Sequence, residues 1–268
     1  NFKGIDVKKK SARKTSTLTK LTDLLEDCTK EYSQTVKRSL DESDGVVSEC
    51  LETGFFNGIK NYIIDSLKKA NINYSGSEIY EFILSKSNLE CERHESCISG
   101  IFASGLVELL VDRNRKASKT TNLEFDLMGN RFDYLFCTLA DFERLKLTNL
   151  SGDYILSNSG SGDILIVQNG HGNNLCAGST CQGDIQTIYL SNWQGDYVAS
   201  CVAEQGKIGS LFLTNITGND CVFASPLEGN AQNIFLNNVA GDNVGSDICI
   251  ESYVKNLIIS NCIGDTIG

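Results

Sequence analysis

A repeat of about 23 residues in the second half of the chain constrains the fold more than any other feature of the sequence. The asparagines at the centre of successive copies are spaced 23 residues apart: Asn169, Asn192, Asn215, Asn238 and Asn261. An earlier copy is centred on Asn149. A degenerate copy begins at Phe125, with Gly129 in the asparagine position. The pattern is Leu-x-Leu-x-Asn-x-x-Gly-Asp, with variants such as Ile234 to Asp242. A fixed period of this size indicates structural units that stack on one another.

The columns of the repeat predict one coil of a parallel β-solenoid. With the asparagine numbered as position 0, positions −4, −2 and +6 are apolar in every copy, +3 is usually glycine, and +4 is aspartate or asparagine. Alternation at −4 and −2 predicts a strand with both side chains on one face. A turn, a second strand and a looser return are expected to complete the coil. We expect the asparagines to face inward or line the turns, joined by amide hydrogen bonds.

The pattern predicts an α+β chain that is mainly β, with three parts. Residues 1–16 form a basic arm, residues 17–121 a helical domain, and residues 122–268 a parallel β-helix of about seven coils. Four helices are predicted: one from Ser16 or Thr17, one along Val47 to Leu67, one from Ser77, and one over Ile98–Val111. We expect the fourth helix to cap the first coil, on Phe125, Phe132 and Leu145, because an open β-stack exposes apolar core at its end.

The repeat region resembles the parallel β-helix proteins, the architecture of pectate-lyase-type enzymes, viral tailspikes and bactofilin filaments. The resemblance rests on the Leu-x-Leu-x-Asn-x-x-Gly-Asp pattern and covers about 145 of the 268 residues. It is specific for the architecture and points to no single family within it. Hexapeptide and pentapeptide repeats do not fit a period of 23.

Charge and cysteine content limit which partners and which cellular compartment we expect for this chain. Residues 122–268 carry 16 acidic and 5 basic side chains, which would repel a phosphate backbone, so we expect no nucleic-acid partner. The longest apolar run, Ile101 to Val111, is too short to span a bilayer. The eleven cysteines are odd in number and unevenly spaced, which argues against a complete disulfide framework. We therefore predict reduced core thiols and a cytoplasmic protein.

The aspartates at position +4 are the most suggestive candidate for a ligand-binding site. The column includes Asp153, Asp196, Asp242 and Asp265, with Asn173 and Asn219 between them. One interpretation is that each carboxylate accepts backbone N–H groups in its own turn. The alternatives are calcium binding and paired carboxylates that cleave a glycosidic bond. The repeat region has few basic residues to hold an acidic sugar, so the first interpretation is favoured.

Two further sets of side chains are candidates for binding. Tyr134, Tyr154 and Tyr197 at position +5, together with Trp193, would form an exposed aromatic face for sugars. Cys91, His94 and Cys97 carry metal-binding groups, but their spacing fits no common zinc module. We therefore predict no zinc site and no cofactor. The basic arm, with Lys8, Lys9 and Lys10, is either a solvated segment or a tether to an anionic surface.

The end of the sequence gives the last expectation. The final copy carries Leu257, Ile259 and Ile267 in its apolar columns, and no later residue of the sequence shields them. Either the natural chain continues or a second molecule covers this coil. Two functions follow. The first is a non-enzymatic structural or protein-binding solenoid that self-associates through this coil. The second is a carbohydrate-binding or polysaccharide-cleaving β-helix that uses the outer Asp and Tyr columns.

Overall fold

The computed structural model describes residues 16–42, 53–179, 183–203, 205–226, 228–248 and 252–267. Four helices, α1 (Thr17–Glu42), α2 (Thr53–Ala70), α3 (Gly76–Lys86) and α4 (Arg93–Lys116), precede seven strands. The strands are β1 (Asn122–Asp126), β2 (Asp141–Ser151), β3 (Ser161–His171), β4 (Asp184–Gln194), β5 (Lys207–Thr217), β6 (Asn230–Ala240) and β7 (Tyr253–Ser260). They form one parallel sheet in sequence order and a β-solenoid of about 6 turns, mainly β with a helical N-terminal part.

The helices agree with the sequence patterns except at their ends. Ser75 caps α3, so this helix begins at Gly76, one residue before the predicted start, and α4 begins five residues before Ile98. The basic arm, apart from Ser16, and Val47 and Leu51 of the second predicted helix lie outside the described residues. Helix α4 is long and apolar enough to cross a membrane by length and composition, but 72% of its apolar window is buried in the protein, as expected of a core helix.

The strand register confirms the apolar columns and corrects one copy. Leu165, Ile188, Leu211 and Ile234 lie in register at position −4 and are buried. In the first coil, however, Phe125 pairs with Leu147 and Leu123 with Leu145. The degenerate copy was therefore predicted two residues out of register, because extra residues around Met128 lengthen its turn. The side chain of Asp126, rather than Gly129, meets the amide of Asn149 (3.0 Å).

The asparagines from Asn149 to Asn238 lie at a bend near the end of strands β2 to β6, rather than in the turns, and do not face inward. All six asparagines from Asn149 to Asn261 have a left-handed φ of 54° to 60°, a conformation that asparagine tolerates well. The Nδ2 of Asn192, Asn215 and Asn238 each donates to the Oδ1 of the asparagine one coil before, at 2.8 to 2.9 Å. These side chains are exposed, so the ladder is a surface feature and not a set of buried hydrogen bonds.

The prediction of a second strand in each coil is wrong. Positions +5 to +9 form a turn in which every second residue has a positive φ, such as Tyr197 (58°), Ala199 (54°) and Cys201 (52°). The N–H of Tyr197 donates to the coil after it, whereas the N–H of Ala199 donates to the coil before it. The alternation therefore satisfies backbone groups in both stacking directions without a strand, which explains how the chain can bend here and still pair.

The helical part closes the first end of the stack. Gly100 of α4 lies against the carbonyl of Tyr134, and Ser104 Oγ donates to the carbonyl of Cys137 at 2.8 Å. Tyr80 of α3 stacks on Phe125 at 5.9 Å. The predicted cap is present, but α4 sits on the turn that follows β1, and α3 covers Phe125. Buried residues of the helices and the coils form one continuous core.

Candidate functional site

The carboxylates at position +4 form a hydrogen-bonded ladder along the solenoid. The Oδ1 of Asp153 accepts the backbone N–H of Asn173 (2.8 Å), and the Oδ1 of Asp196 accepts that of Asn219 (2.8 Å). The amide oxygens of Asn173 and Asn219 also accept a backbone N–H from the next coil. The donors are Asp196 and Asp242, each at 2.9 Å. The carboxylates thus accept backbone N–H groups, as one interpretation predicted, but from the next coil and not from their own turn.

The order of aspartate and asparagine in this ladder has an electrostatic reason. From Asp153 to Asp242 the two residue types alternate from coil to coil. Carboxylates are then about 9.6 Å apart, twice the spacing of strands, which is close to the Debye length at physiological salt. At the start of the column Asp133 and Asp153 are direct neighbours, and Arg131 bridges them with contacts of 2.9 and 2.8 Å. From Asp133 to Asp242 the acidic column is therefore arranged to limit its own repulsion, whereas Asp242 and Asp265 at its end lie on neighbouring coils.

A shallow groove of about 780 Å³ runs beside this ladder across several coils. Its floor is the glycine column, where Gly172, Gly195 and Gly218 lie directly on one another. A Cβ built on Gly218 would lie 1.8 Å from the carbonyl oxygen of Gly195, so no larger residue fits. The rim carries polar side chains, namely His171, Asn173, Gln194, Asp196, Thr217 and Asn219.

The predicted aromatic face is only partly present. Tyr134 is 2% exposed, Tyr154 is partly exposed, and Tyr197 is 42% exposed. Tyr134 stacks on Tyr154 at 4.8 Å, and Arg93 of α4 covers both rings while its Nε donates to Tyr134 Oη at 2.5 Å. The prediction that Tyr134 is exposed is wrong because the helical part, which the repeat alone does not reveal, lies over it.

Trp193 does not contribute to an outer aromatic face either. Its side chain is 2% exposed, and its Nε1 donates to the carbonyl of Gly172 at 2.8 Å. A Cβ on Gly170 would lie 2.4 Å from its ring, so the glycine leaves the space that the indole fills. The tryptophan is a packing residue between two coils.

The three weak metal candidates have different surroundings. Cys91 is exposed, with its Sγ 3.0 Å from Ser96 Oγ, whereas Cys97 is fully buried. The ring of His94 lies between Ser33 and Glu92. Within the described residues no group of three His, Cys, Asp or Glu side chains could hold a metal ion. The contact with Ser33 was missed in the sequence, since 61 residues separate it from His94 and no local pattern links the two.

Most cysteines of the described part of the chain are buried, namely Cys28, Cys97, Cys137, Cys176 and Cys221. Burial raises the pKa of the Cys28 thiol to about 11 and that of Cys137 to about 12. Thiols with such pKa values are protonated at neutral pH and poor nucleophiles. These cysteines act as small apolar packing residues, as the sequence predicted for core thiols.

Comparison with known proteins adds no relative. The chain matches no protein-family model, no curated protein and no solved structure.

Proposed function

We propose that this chain is a structural or protein-binding β-solenoid whose repeat surface is non-enzymatic. The observation that carries the proposal is the Asp/Asn ladder, in which Oδ1 atoms from Asp133 to Asn219 accept the backbone of the next coil. A catalytic site needs acidic, basic or nucleophilic groups that converge on one reacting atom. In the ladder these groups are one coil apart, and their Oδ1 atoms are already used in hydrogen bonds between successive coils.

The surface we assign to binding is the coil of β7. Leu257 is 42% exposed, Ile258 51% and Ile267 37%, whereas Ile234, one coil before Leu257, is 1% exposed. Within the described residues β7 pairs with β6 only, so the backbone groups of its other edge are unpaired. Exposed apolar side chains beside an open strand edge favour pairing with another chain.

The partner we propose for this coil is a second copy of the chain. A twofold axis across the end of the solenoid would place β7 against β7 of the partner, antiparallel, and would give a closed dimer. Head-to-tail stacking is obstructed, because the helices cover the first coil. Each copy would bury Leu257, Ile259 and Ile267, the residues predicted for self-association.

Light scattering over a concentration series tests this proposal. We expect the chain to be dimeric at high micromolar concentration, and the double variant Leu257→Lys/Ile267→Lys to be monomeric. Met128→Lys is the matched control, since Met128 is 65% exposed and lies at the opposite end of the solenoid. A strict monomer at high micromolar concentration would overturn self-association, and a dimer that survives the double variant would place the interface elsewhere.

Carbohydrate binding is the second candidate, and the groove favours it. Its polar rim and glycine floor would suit an extended neutral glycan, and Tyr197, next to Asp196 of the rim, is partly exposed. Affinity electrophoresis in gels that contain neutral polysaccharides tests it. Retardation that Tyr197→Ala and Asp196→Ala both abolish would support binding in the groove. Unchanged mobility in all gels would remove this candidate.

A further inference from the structure

The helical part holds a serine, a histidine and a glutamate in one chain of contacts. Ser33 lies on α1, and its Oγ is 2.8 Å from Nε2 of His94, near the start of α4. The other ring nitrogen of His94, Nδ1, is 3.4 Å from Oε2 of Glu92. His94 is 7% exposed, whereas Ser33 is partly exposed. The hydroxyl, the imidazole and the carboxylate therefore follow one another in the order nucleophile, base and orienting acid.

The glutamate is itself held in place. The ammonium of Lys37, one turn after Ser33 on α1, is 3.2 Å from Glu92 Oε2. The backbone N–H of Glu92 donates to Oε2 of Glu95 at 3.1 Å, as part of the cap of α4. The side chain of Glu92 is 64% exposed, and its carboxylate would favour hydrogen on Nδ1 of the imidazole and a lone pair on Nε2. That lone pair points at the Ser33 hydroxyl and can take its proton.

We propose that Ser33 is a base-activated nucleophile that accepts an acyl group from a carboxylic ester. The Ser33 Oγ bonds to the carbonyl carbon while its proton passes to Nε2 of His94. The bond from that carbon to the alcohol oxygen then breaks, and the leaving alcohol takes the proton from His94. Glu92 stabilises the imidazolium that forms between these steps. Water releases the acyl group by the same sequence, with His94 again as base, so the step needs no further reactant.

A cavity of about 670 Å³ is lined by neighbours of these residues along the chain, although Ser33, His94 and Glu92 do not line it themselves. Its walls include Thr29, one helical turn before Ser33 on the same face of α1, and Glu95, which follows His94. Leu25, Leu89 and Phe132 supply apolar surface there. We assign this cavity to the acyl group.

The proposal goes beyond the function of the repeat surface, because its reacting groups lie on α1, on α4 and at the N-cap of α4. A biotinylated alkyl fluorophosphonate is the probe, since it phosphonylates activated serines and leaves ordinary ones unmodified. We expect one equivalent of label, located on Ser33 by peptide mass spectrometry. Ser33→Ala should remove the label, and His94→Gln should slow labelling by about 100-fold or more, the usual contribution of a general base. Ser39→Ala, a serine of α1 that does not line the cavity, is the matched control and should label at the wild-type rate.

The folding of each variant is measured separately from its reactivity with the probe. Circular dichroism of each variant shows whether α1 and α4 remain folded, and Glu92→Gln provides a second variant that leaves both Ser33 and His94 in place. We expect Glu92→Gln to slow labelling less than His94→Gln does. Wild-type protein that reacts no faster at Ser33 than at the exposed Ser77 would overturn the proposal. Labelling that persists at full rate in a folded His94→Gln variant would overturn it as well.

Discussion

Individual glycines at position +3 are required by the contact between successive coils. A Cβ on Gly172, Gly195, Gly218 or Gly241 would lie 1.8 to 2.0 Å from a carbonyl oxygen of the coil before. The obstacle is backbone, which cannot move without separating the coils. Helical Gly58 provides the contrast, because a Cβ added there meets no atom within 4 Å.

We predict that Gly218→Ala and Gly58→Ala change stability in opposite directions. Gly218→Ala should lower the free energy of unfolding by about 1–3 kcal/mol or more, the usual cost of overpacking. Gly58→Ala should raise it by about 1 kcal/mol, the difference in helix propensity. Urea unfolding of both variants beside the wild type measures this. Equal stability of Gly218→Ala and the wild type would contradict the close stacking at this column.

In the column of aspartates and asparagines at position +4, the order of charged and neutral residues is independent of the hydrogen bonding. Aspartate and asparagine accept the same backbone N–H group, so either satisfies the ladder. Only their charge differs, and from Asp153 to Asp242 the alternation keeps carboxylates two coils apart. Asn219→Asp would place four carboxylates on successive coils, at Asp196, position 219, Asp242 and Asp265.

We expect Asn219→Asp to lose about 1 kcal/mol of stability at low ionic strength, and to recover most of it in 0.5 M salt. Asp196→Asn is the matched control, because it keeps the oxygen acceptor and removes a charge. It should be as stable as the wild type or slightly more so. Thermal unfolding at about 10 mM and about 500 mM NaCl provides the comparison. A salt-independent loss in Asn219→Asp would mean that repulsion is not the cause.

The contact between helices and first coil includes a nearly buried ion pair. Lys60 Nζ on α2 lies 3.2 Å from Glu108 Oε1 on α4 and donates to the carbonyl of Thr138 at 2.8 Å. Glu108 also accepts the N–H of Ala140 at 2.6 Å. The pair therefore ties two helices to one turn of the solenoid. Desolvation raises the pKa of Glu108 above its ordinary value of 4.5, although Lys60 opposes this rise.

We predict that Lys60→Met destabilises by about 3–5 kcal/mol at pH 7, because it leaves a buried carboxylate unpaired. A raised folded pKa means that Glu108 favours folding below about pH 4.5, and that this contribution is lost as pH rises through the folded pKa. The loss in Lys60→Met should therefore shrink as pH falls towards about 4.5. Lys60→Met/Glu108→Leu should recover part of the stability at pH 7. Denaturant unfolding at both pH values measures this, and a loss equal at both would contradict the assignment to Glu108.

The sequence predicted those elements whose signal is local and repeated. The strand columns at −4 and −2 were read correctly because alternation along one strand determines which side chains are buried. The turn at +5 to +9 was not, because Tyr197, Ala199 and Cys201 give no compositional sign of a positive φ. Tyr134 is buried because Arg93 covers it, and His94 contacts Ser33. In both pairs the two residues are distant in sequence. Long-range contacts of this kind leave no pattern in a single sequence.

For the molecule as a whole, helices and coils share one core and should unfold together. Phe102 of α4 is fully buried against Phe82, in the same cluster as the residues of the last buried coils. Trp193, the single tryptophan of the chain, lies buried in the middle of the stack. Its fluorescence reports on the solenoid, while ellipticity at 222 nm reports mainly on the helices.

We predict coincident transitions by these two signals in the wild type, as expected of one cooperative unit. Phe102→Ala should lower the stability by about 3–5 kcal/mol and shift both transitions equally, although the change lies in a helix. Met128→Ala, at an exposed position, should leave both unchanged. A variant Phe102→Ala whose ellipticity melts early while the Trp193 signal keeps the wild-type midpoint would show that the helices and the solenoid are separate units.

The alternation of aspartate and asparagine gives the solenoid two periods of different length. From Asp153 to Asp242 the backbone geometry repeats after one coil, of 23 residues in most copies, whereas charge repeats only after two; at both ends of the column neighbouring coils carry aspartate. Duplicating a single coil would leave every hydrogen bond intact and yet bring two carboxylates, or two amides, side by side. Duplicating a pair of coils would preserve both periods. A solenoid of this type is therefore expected to lengthen or shorten most readily by units of 46 residues.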